Sequence, residues 1–195
     1  AAVTTSALGH MSDSTFPRRW FEHDAEIPSL VGDLLHYMIS EHHSPFFNSV
    51  LLASRGVAIQ KPDGGARPIC ISSIFLKMLG TIATTRDGKS LSSMQYAIGK
   101  KNGHVEIIHK VRQFMADNHE YGVYKVDVSN AYGSLPRKVI NEEVTSRDTT
   151  LKQYVRLVYG GPSQIAVYGH NQLEFVTLGE GVKQGDATSS FLFCL

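Results

Sequence analysis

Hydrophobic and polar positions repeat with two different periods along this chain. Apolar residues recur at helical spacing, three to four positions apart, in residues 27–42, 46–53, 74–83, 105–118, 136–147 and 151–159. The remaining ordered stretches are short and extended in character, at residues 55–60, 67–71, 121–128, 164–168 and 173–178. The pattern therefore predicts helices and strands mixed along one chain, which is an α+β fold.

Two tight turns join four of these predicted strands. Residues 61–65, KPDGG, link one pair of strands into a hairpin with Lys61 at its mouth and Arg67 on the returning arm. Gly169, His170 and Asn171 link a second pair. Both connections contain glycine, which adopts the left-handed conformations that such turns require. We therefore expect two hairpins.

The stretch at residues 121–137, YGVYKVDVSNAYGSLPR, combines a predicted strand with a turn and the start of a helix. Val123, Lys125 and Asp127 alternate with apolar or aromatic neighbours, and Pro136 suits a first helical turn. A carboxylate at the end of a mostly apolar strand is costly unless a cation meets it. A metal ion or a buried Lys or Arg would satisfy Asp127, and the stretch alone leaves both open.

Length and composition limit the class of protein. With 195 residues, 42% of them hydrophobic, the chain can bury the core of one domain. We expect residues 1–14, which are small and polar, to form a disordered lead-in. The sequence contains neither an apolar run of membrane-spanning length nor a signal-peptide layout, so we expect an intracellular protein without a membrane partner. Cys70 and Cys194 read as thiols of a reducing compartment.

Charge is unevenly distributed along the chain. Residues 55–112 contain ten Lys or Arg against three Asp or Glu, a net charge of +7. Residues 113–195 contain seven against nine, a net charge of −2. A basic segment followed by an acidic one indicates a surface for phosphates beside a site for cations. A solvated basic face explains the charge equally well.

Four motifs stand in an order that resembles one enzyme family. They are KPDGGARPI at 61–69, QYAIGKKNGHVEIIH at 95–109, KVDVSNAYGSLPR at 125–137 and GVKQGD at 181–186. In this order they resemble the reverse transcriptases, most closely those of non-LTR retrotransposons, over residues 51–195. The resemblance implies an α+β right-hand polymerase domain at residues 15–195. Its fingers would occupy about 15–118, and about 119–195 would form part of its palm.

The resemblance implies two roles in the palm. Asp127 matches the aspartate that binds two catalytic Mg²⁺ ions, which Mn²⁺ can replace, with help from the carbonyl of Val128. Two such ions would activate a 3′-oxygen and stabilise the leaving pyrophosphate. Tyr132 matches the aromatic residue that excludes ribonucleotides by colliding with the 2′-hydroxyl, which is specificity through a clash.

The remaining roles concern substrates and partners. Lys61 and Arg67 match residues of the fingers that hold the triphosphate, and Gln184 and Gly185 match the loop that lines the nucleotide pocket. The resemblance implies that dNTPs, an RNA template and a DNA primer end bind the protein, and that the rest of the palm and the thumb belong to the same polyprotein. The residues matching the template- and primer-facing element are Gln95, Gly99, Lys100 and Lys101.

Two departures from the family pattern change what we expect of the activity of this chain and of its loop. The second metal-binding motif of the family, an aromatic residue followed by x-Asp-Asp, is absent from these 195 residues. The fold is therefore expected to be truncated before the second catalytic aspartate motif. One carboxylate cannot hold two Mg²⁺ ions, so we expect this chain alone to be inactive. Ala187 and Ser190 replace two customary prolines, which predicts a looser loop.

Two alternatives stay open at this point. One is the reverse transcriptase of a mobile intron or bacterial retroelement. The other is a catalytically dead or decayed polymerase-like module that only binds nucleic acid. A eukaryotic non-LTR element would place the protein in the nucleus.

Overall fold

The computed structural model describes residues 26–40, 43–87, 91–169 and 172–195. The expected lead-in at 1–14 and the tip of the second hairpin, His170 and Asn171, lie outside these ranges. The helices are α1 (Ile27–Ser40), α2 (Pro45–Leu52), α3 (Ile74–Asp87), α4 (Gly103–Asp117), α5 (Ala131–Ser134), α6 (Arg137–Val144), α7 (Thr149–Tyr159) and α8 (Ser189–Phe193). The strands are β1 (Ser54–Gln60), β2 (Ala66–Ile71), β3 (Ser163–Gly169) and β4 (Gln172–Leu178).

The four strands form one sheet in the order β2-β1-β3-β4. Strand β1 pairs antiparallel with β2, from Arg55 opposite Ile71 to Gln60 opposite Ala66. Strands β3 and β4 are also antiparallel, so the strands of both predicted hairpins are confirmed. The two hairpins join through a parallel pairing of β1 with β3. A Cβ at Gly56 would lie 2.8 Å from Val167 Cγ2, so this junction requires glycine.

The core lies among helices α1, α3, α6, α7 and α8. The stripe predicted on α7, formed by Leu151, Tyr154, Val155 and Val158, is buried and therefore confirmed. Burying each such side chain stabilises the fold by roughly 1.5–3 kcal/mol. The apolar residues packed with this stripe include Leu35, Met38, Leu76, Leu79, Ile140, Val144, Phe191 and Leu192.

A buried arginine attaches the loop before α8 to the start of α6. Arg137 Nε donates to the carbonyl of Gly181 at 3.0 Å, and one of its terminal nitrogens donates to the carbonyl of Leu178 at 3.1 Å. Burial lowers the pKa of Arg137, while Tyr159 and Glu180 act in the opposite direction. These bonds bring residues 178–181 against α6 and so direct the path of the following loop.

The prediction of a strand at residues 121–128 is wrong. Residues 121–128 are unpaired and exposed, with Tyr124 at 91% and Val126 at 69% exposure. The alternating pattern of β-branched and aromatic residues suits a pleated surface, but a strand forms only beside a partner that satisfies its N–H and C=O groups. Within the described ranges, no strand pairs with these residues. We call residues 121–128 the exposed segment.

Helix α4 shares this exposure. Its predicted apolar stripe includes Ile108, Val111 and Phe114, and all three side chains are exposed in the structure. Phe114 meets Tyr121 of the exposed segment edge to face, with the ring centroids 5.5 Å apart. Within the described ranges, every helix is too short or too polar to cross a lipid bilayer.

Candidate functional site

A cavity of about 560 Å³ lies between the first hairpin, the turn entering α5 and the loop at 181–186. It brings together Lys61, Arg67, Tyr132, Gln184 and Gly185, which come from three distant parts of the sequence. These are the five residues that the sequence analysis assigned to a nucleotide. Their binding role remains a prediction. The cavity is completed by Ala66, Pro68, Ile69, Asn130 and Ala131.

The first hairpin supplies the cationic wall of the cavity. Its turn is closed by Lys61 N, which donates to the carbonyl of Gly65 at 2.7 Å, and Gly64 has a φ of +84°. Asp63 Oδ1 accepts a hydrogen bond from Gly65 N at 3.1 Å, which braces the same turn. Arg67 is on β2, opposite Ile59 of β1. The side chains of Lys61 and Arg67 are both exposed. The hairpin therefore presents two positive charges to a ligand.

The loop at 181–186 supplies the opposite wall. Gly185 has a φ of +100°, which favours glycine, and a Cβ there would lie 2.6 Å from the carbonyl oxygen of Cys70. Cys70 N donates to the carbonyl of Gln184 at 2.6 Å. The loop backbone therefore rests directly on β2, and the side chain of Gln184 is half-buried at the cavity.

A buried hydrogen-bond network holds this loop on α7. Asp186 accepts bonds from the Tyr154 hydroxyl at 2.8 Å, from Thr188 N at 2.8 Å and from Thr188 Oγ1 at 2.6 Å. Burial, with a further contribution from Asp186, raises the pKa of Tyr154 well above its ordinary value, so its hydroxyl stays a donor. The loop was expected to be loose without the two prolines, but the structure ties it down through Asp186.

Tyr132 forms the third side of the cavity. Its carbonyl accepts a bond from Val182 N at 2.8 Å, which joins α5 to the loop. A hydrogen bond of 2.9 Å links its hydroxyl to Ser190 Oγ, and its ring meets Phe193 edge to face at 5.8 Å. Helix α8 therefore determines where the Tyr132 ring lies. An aromatic ring held in one position can exclude a ligand by collision.

Asp127 and Val128 lie apart from this cavity. Both residues are at the end of the exposed segment, and neither lines the cavity. Asn130 follows with a φ of 50°, in the left-handed conformation that begins α5. Among the described residues, no group of three His, Cys, Asp or Glu side chains could hold a metal ion. The carboxylate of Asp127 therefore does not by itself fit a site for two Mg²⁺ ions.

The predicted template-facing residues lie on the loop before α4, and two of them are engaged locally. Gln95 Oε1 accepts from Ile98 N at 2.7 Å and also from Ala97 N, and its Nε2 donates to the carbonyl of Ile98 at 3.1 Å. The side chain of Gln95 therefore braces its own turn. Gly99 completes this loop with a φ of +68°.

Lys100 is also engaged within the loop. Its Nζ lies 3.0 Å from Glu106 and 4.0 Å from the centroid of the Tyr96 ring. Hydrogen bonds from Lys100 and Lys110 lower the pKa of Glu106. Lys101 is exposed in the neighbouring turn. None of the four predicted template residues lines the cavity, and their role stays a prediction.

Sequence patterns do not predict the buried charges that hold the site together. Arg137, Lys183 and Asp186 stand in the motifs without an assigned role, yet all three are buried. The spacing of Asp186 and Thr188 is the signal that could have revealed one of them. An Asp side chain often accepts a hydrogen bond from the backbone N–H two residues later. Nothing comparable in the local sequence marks Lys183 or Arg137, because their acceptors are carbonyls and hydroxyls of distant segments.

Similarity to a known protein covers most of the chain. No protein-family model matches the chain. Over 178 residues, 87% of the chain, it is 28% identical to the retrotransposable element SLACS 132 kDa protein of Trypanosoma brucei gambiense. The chain spans 14% of that protein's length. It is thus similar to a part of a retrotransposable-element protein.

Proposed function

We propose that this chain is the fingers and first part of the palm of an RNA-directed DNA polymerase from a non-LTR retrotransposon. The observation that carries the proposal is the single cavity that gathers Lys61, Arg67, Tyr132, Gln184 and Gly185. The resemblance to reverse transcriptases assigns all five to the incoming nucleotide. The similarity to a retrotransposable-element protein favours this source over a mobile intron or a bacterial retroelement.

The chemistry of the cavity suits a deoxynucleoside triphosphate. Its volume, about 560 Å³, is within the range of small-molecule sites. The two cations of the hairpin are opposite in sign to the charge of a triphosphate, and charge-assisted hydrogen bonds from Arg67 suit phosphate oxygens. Gly185 contributes only backbone atoms to the cavity, and its close contact with Cys70 fixes where the loop backbone lies. Tyr132 lines the same cavity, and the proposal assigns to its ring the collision with a 2′-hydroxyl.

The metal centre of the proposed polymerase needs residues beyond those described. Asp127 supplies one carboxylate, and two Mg²⁺ or Mn²⁺ ions need more. We place the second aspartate motif on a hairpin elsewhere in a longer protein, where it pairs with the exposed segment. That pairing would cover the apolar side chains of Tyr124 and Val126 and bring carboxylates to Asp127. The chain alone is therefore inactive.

Nucleic acid would lie across the basic part of the chain. Residues 55–112 carry a net charge of +7, and Lys101 is exposed within them. A cationic surface of this kind binds the phosphates of an RNA template and a DNA primer end without sequence preference. In a eukaryotic host, the protein would do this in the nucleus.

Nucleotide binding by this chain tests the proposal. We would titrate it with a fluorescently labelled dNTP and Mg²⁺. Arg67→Ala should weaken binding about tenfold or more, because it removes charge-assisted bonds to phosphate. Arg55→Ala is the matched control. Arg55 is an exposed arginine on the neighbouring strand β1 and does not line the cavity, so this change should leave the affinity unaltered.

Two results would contradict this reading. Equal affinities for Arg67→Ala and the unaltered chain would remove the hairpin from the nucleotide site. Template-dependent primer extension by the unaltered chain would show that the missing carboxylates are not needed.

A module that binds only nucleic acid is the second candidate. The isolated position of Asp127 in the exposed segment favours it, since a dead polymerase needs no metal centre. RNA binding together with an absence of dNTP binding would support this candidate over the polymerase.

A further inference from the structure

Lys183 is a fully buried lysine in the loop that forms one wall of the cavity. Its side chain has 0% exposure, although its neighbour Gln184 reaches the cavity. Lys183 Nζ donates to the carbonyl of Leu52 at 3.2 Å and to Ser54 Oγ at 3.0 Å. Leu52 ends α2 and Ser54 begins β1. The lysine thus reaches from the loop to the base of the first hairpin.

Other bonds carry this link to the second strand of the hairpin. A hydrogen bond of 3.3 Å joins Ser54 Oγ to Ser72 Oγ, directly after β2. Cys70 N, near the end of β2, donates to the carbonyl of Gln184 at 2.6 Å. Both strands of the hairpin are therefore attached to residues 183 and 184 of the loop.

Stability alone does not explain a lysine at this position. An ammonium group loses its hydration when it is buried, and this burial lowers the pKa of Lys183 against the opposing effect of Asp186. The two acceptors of its Nζ are a carbonyl and a hydroxyl, both neutral. Replacing buried charged groups with apolar residues of similar volume is often neutral or stabilising. What the lysine adds over an apolar residue is a directed link between two segments.

We propose that Lys183 is a positioning residue that sets the spacing between the hairpin wall and the loop wall of the cavity. Lys61 and Arg67 stand on the first wall, and Gln184 and Gly185 stand on the second. Its link therefore determines the affinity of the cavity for a nucleoside triphosphate. This inference rests on the proposed function, and the geometry of the link can be tested without it.

The test uses Lys183→Met, which keeps the length of the side chain and removes its donors. Lys77→Met is the matched control, because Lys77 is also a buried lysine, 7% exposed on α3, and does not line the cavity. Two quantities are measured on the whole chain. They are the amide hydrogen exchange of Cys70, by NMR, and the affinity for a fluorescent dNTP with Mg²⁺. Thermal unfolding is recorded for each variant.

We expect Lys183→Met to accelerate exchange at Cys70 and to weaken dNTP binding by about tenfold, since small displacements of binding groups have effects of this size or larger. Its thermal midpoint should stay close to that of Lys77→Met, and Lys77→Met should leave both other quantities unchanged. A merely structural lysine would lower the midpoint and leave the affinity of the folded chain unaltered.

Each other outcome is decisive. Normal exchange at Cys70 in folded Lys183→Met overturns the inference, and so does an equal loss of affinity in Lys77→Met. If Lys183→Met does not fold, Ser54→Ala removes one acceptor of the link and should accelerate the same exchange to a smaller extent; no acceleration overturns the inference. If Lys183→Met accelerates exchange at Cys70 but the unaltered chain does not bind dNTP, the structural link by Lys183 is supported and the proposed function is refuted.

Discussion

The loop at 181–186 and the exposed segment at 121–128 carry the two best-marked motifs of this chain. The loop is bonded to the core, whereas the segment is exposed to solvent. The loop is held by buried hydrogen bonds that Arg137 and Lys183 donate and that Asp186 accepts. The exposed segment makes no strand pairing within the described ranges, and its side chains face solvent. Among the described residues, the loop therefore has its bonding partners, whereas the exposed segment has no strand partner.

The difference separates two halves of the proposed site. The proposed nucleotide half has all five of its assigned residues at one cavity, because the hairpin, α5 and the loop contact one another within this chain. The metal half consists of Asp127 alone. Loss of the Asp186 acceptor in the loop should therefore destabilise this chain by more than any substitution in the exposed segment.

Asp127→Asn should have the largest effect, and only in the longer protein. In the proposed polymerase this change removes a metal ligand, which is worth several kcal/mol of transition-state stabilisation, so primer extension should fall on the order of 10³-fold. Nucleic-acid binding should remain, because it depends on the basic segment. In the 195-residue chain, the same change at an exposed residue should alter the free energy of unfolding by less than about 0.5 kcal/mol.

The measurements for Asp127→Asn are primer extension for the longer protein and chemical denaturation for the chain. Retained synthesis would refute the metal role. A large loss of stability in the 195-residue chain would show that Asp127 has a partner in this fold and would remove the contrast between the two regions.

Asp186→Ala should have the next largest effect, this time on the chain itself. The change leaves the buried hydroxyls of Tyr154 and Thr188 without their acceptor. Each unsatisfied buried group costs about 1–3 kcal/mol, so the free energy of unfolding should fall by about 3 kcal/mol. Urea denaturation measures this loss. Asp127→Ala is the control, and equal losses for the two variants would contradict the comparison.

The sequence predicts some of these features and not others, for physical reasons. The stripe on α7 and the paired strands were predictable because burial and turn chemistry act over a few neighbouring residues. The strand at 121–128 was not borne out, because a strand depends on a partner as well as on its own pattern. The five cavity residues were found through the order of the motifs. Periodicity alone does not bring Lys61 and Gln184 together.

The buried links were unpredictable for the same reason. Lys183 bonds to Ser54, which lies 129 positions earlier in the chain. The residues next to Lys183 do not indicate such a contact, and a lysine in a glycine-rich loop is ordinarily exposed. The loop was expected to be loose because two prolines are missing, and the compensating acceptor, Asp186, acts through its contact with Tyr154 on α7.

Two glycine substitutions, one in the loop and one in the exposed segment, should have the smallest effects on stability. The two changes in the free energy of unfolding are expected to differ in sign. At Gly185, φ is +100° and a new Cβ would lie 2.6 Å from a backbone oxygen, so Gly185→Ala should lower the free energy of unfolding by about 2 kcal/mol. At Gly122, in the exposed segment, a Cβ meets nothing within 4 Å. Gly122→Ala restricts the unfolded chain and should be neutral or stabilising by up to about 1 kcal/mol.

Urea denaturation of both alanine variants, beside the unaltered chain, measures this difference in one experiment. The chemical change is the same at both positions, so only the surroundings of the glycine distinguish them. A loss at Gly122 as large as that at Gly185 would mean that the exposed segment is packed in solution, and the contrast between the two regions would disappear. A neutral Gly185→Ala would instead mean that the loop can move away from Cys70, and the proposed nucleotide half would lose its defining contact.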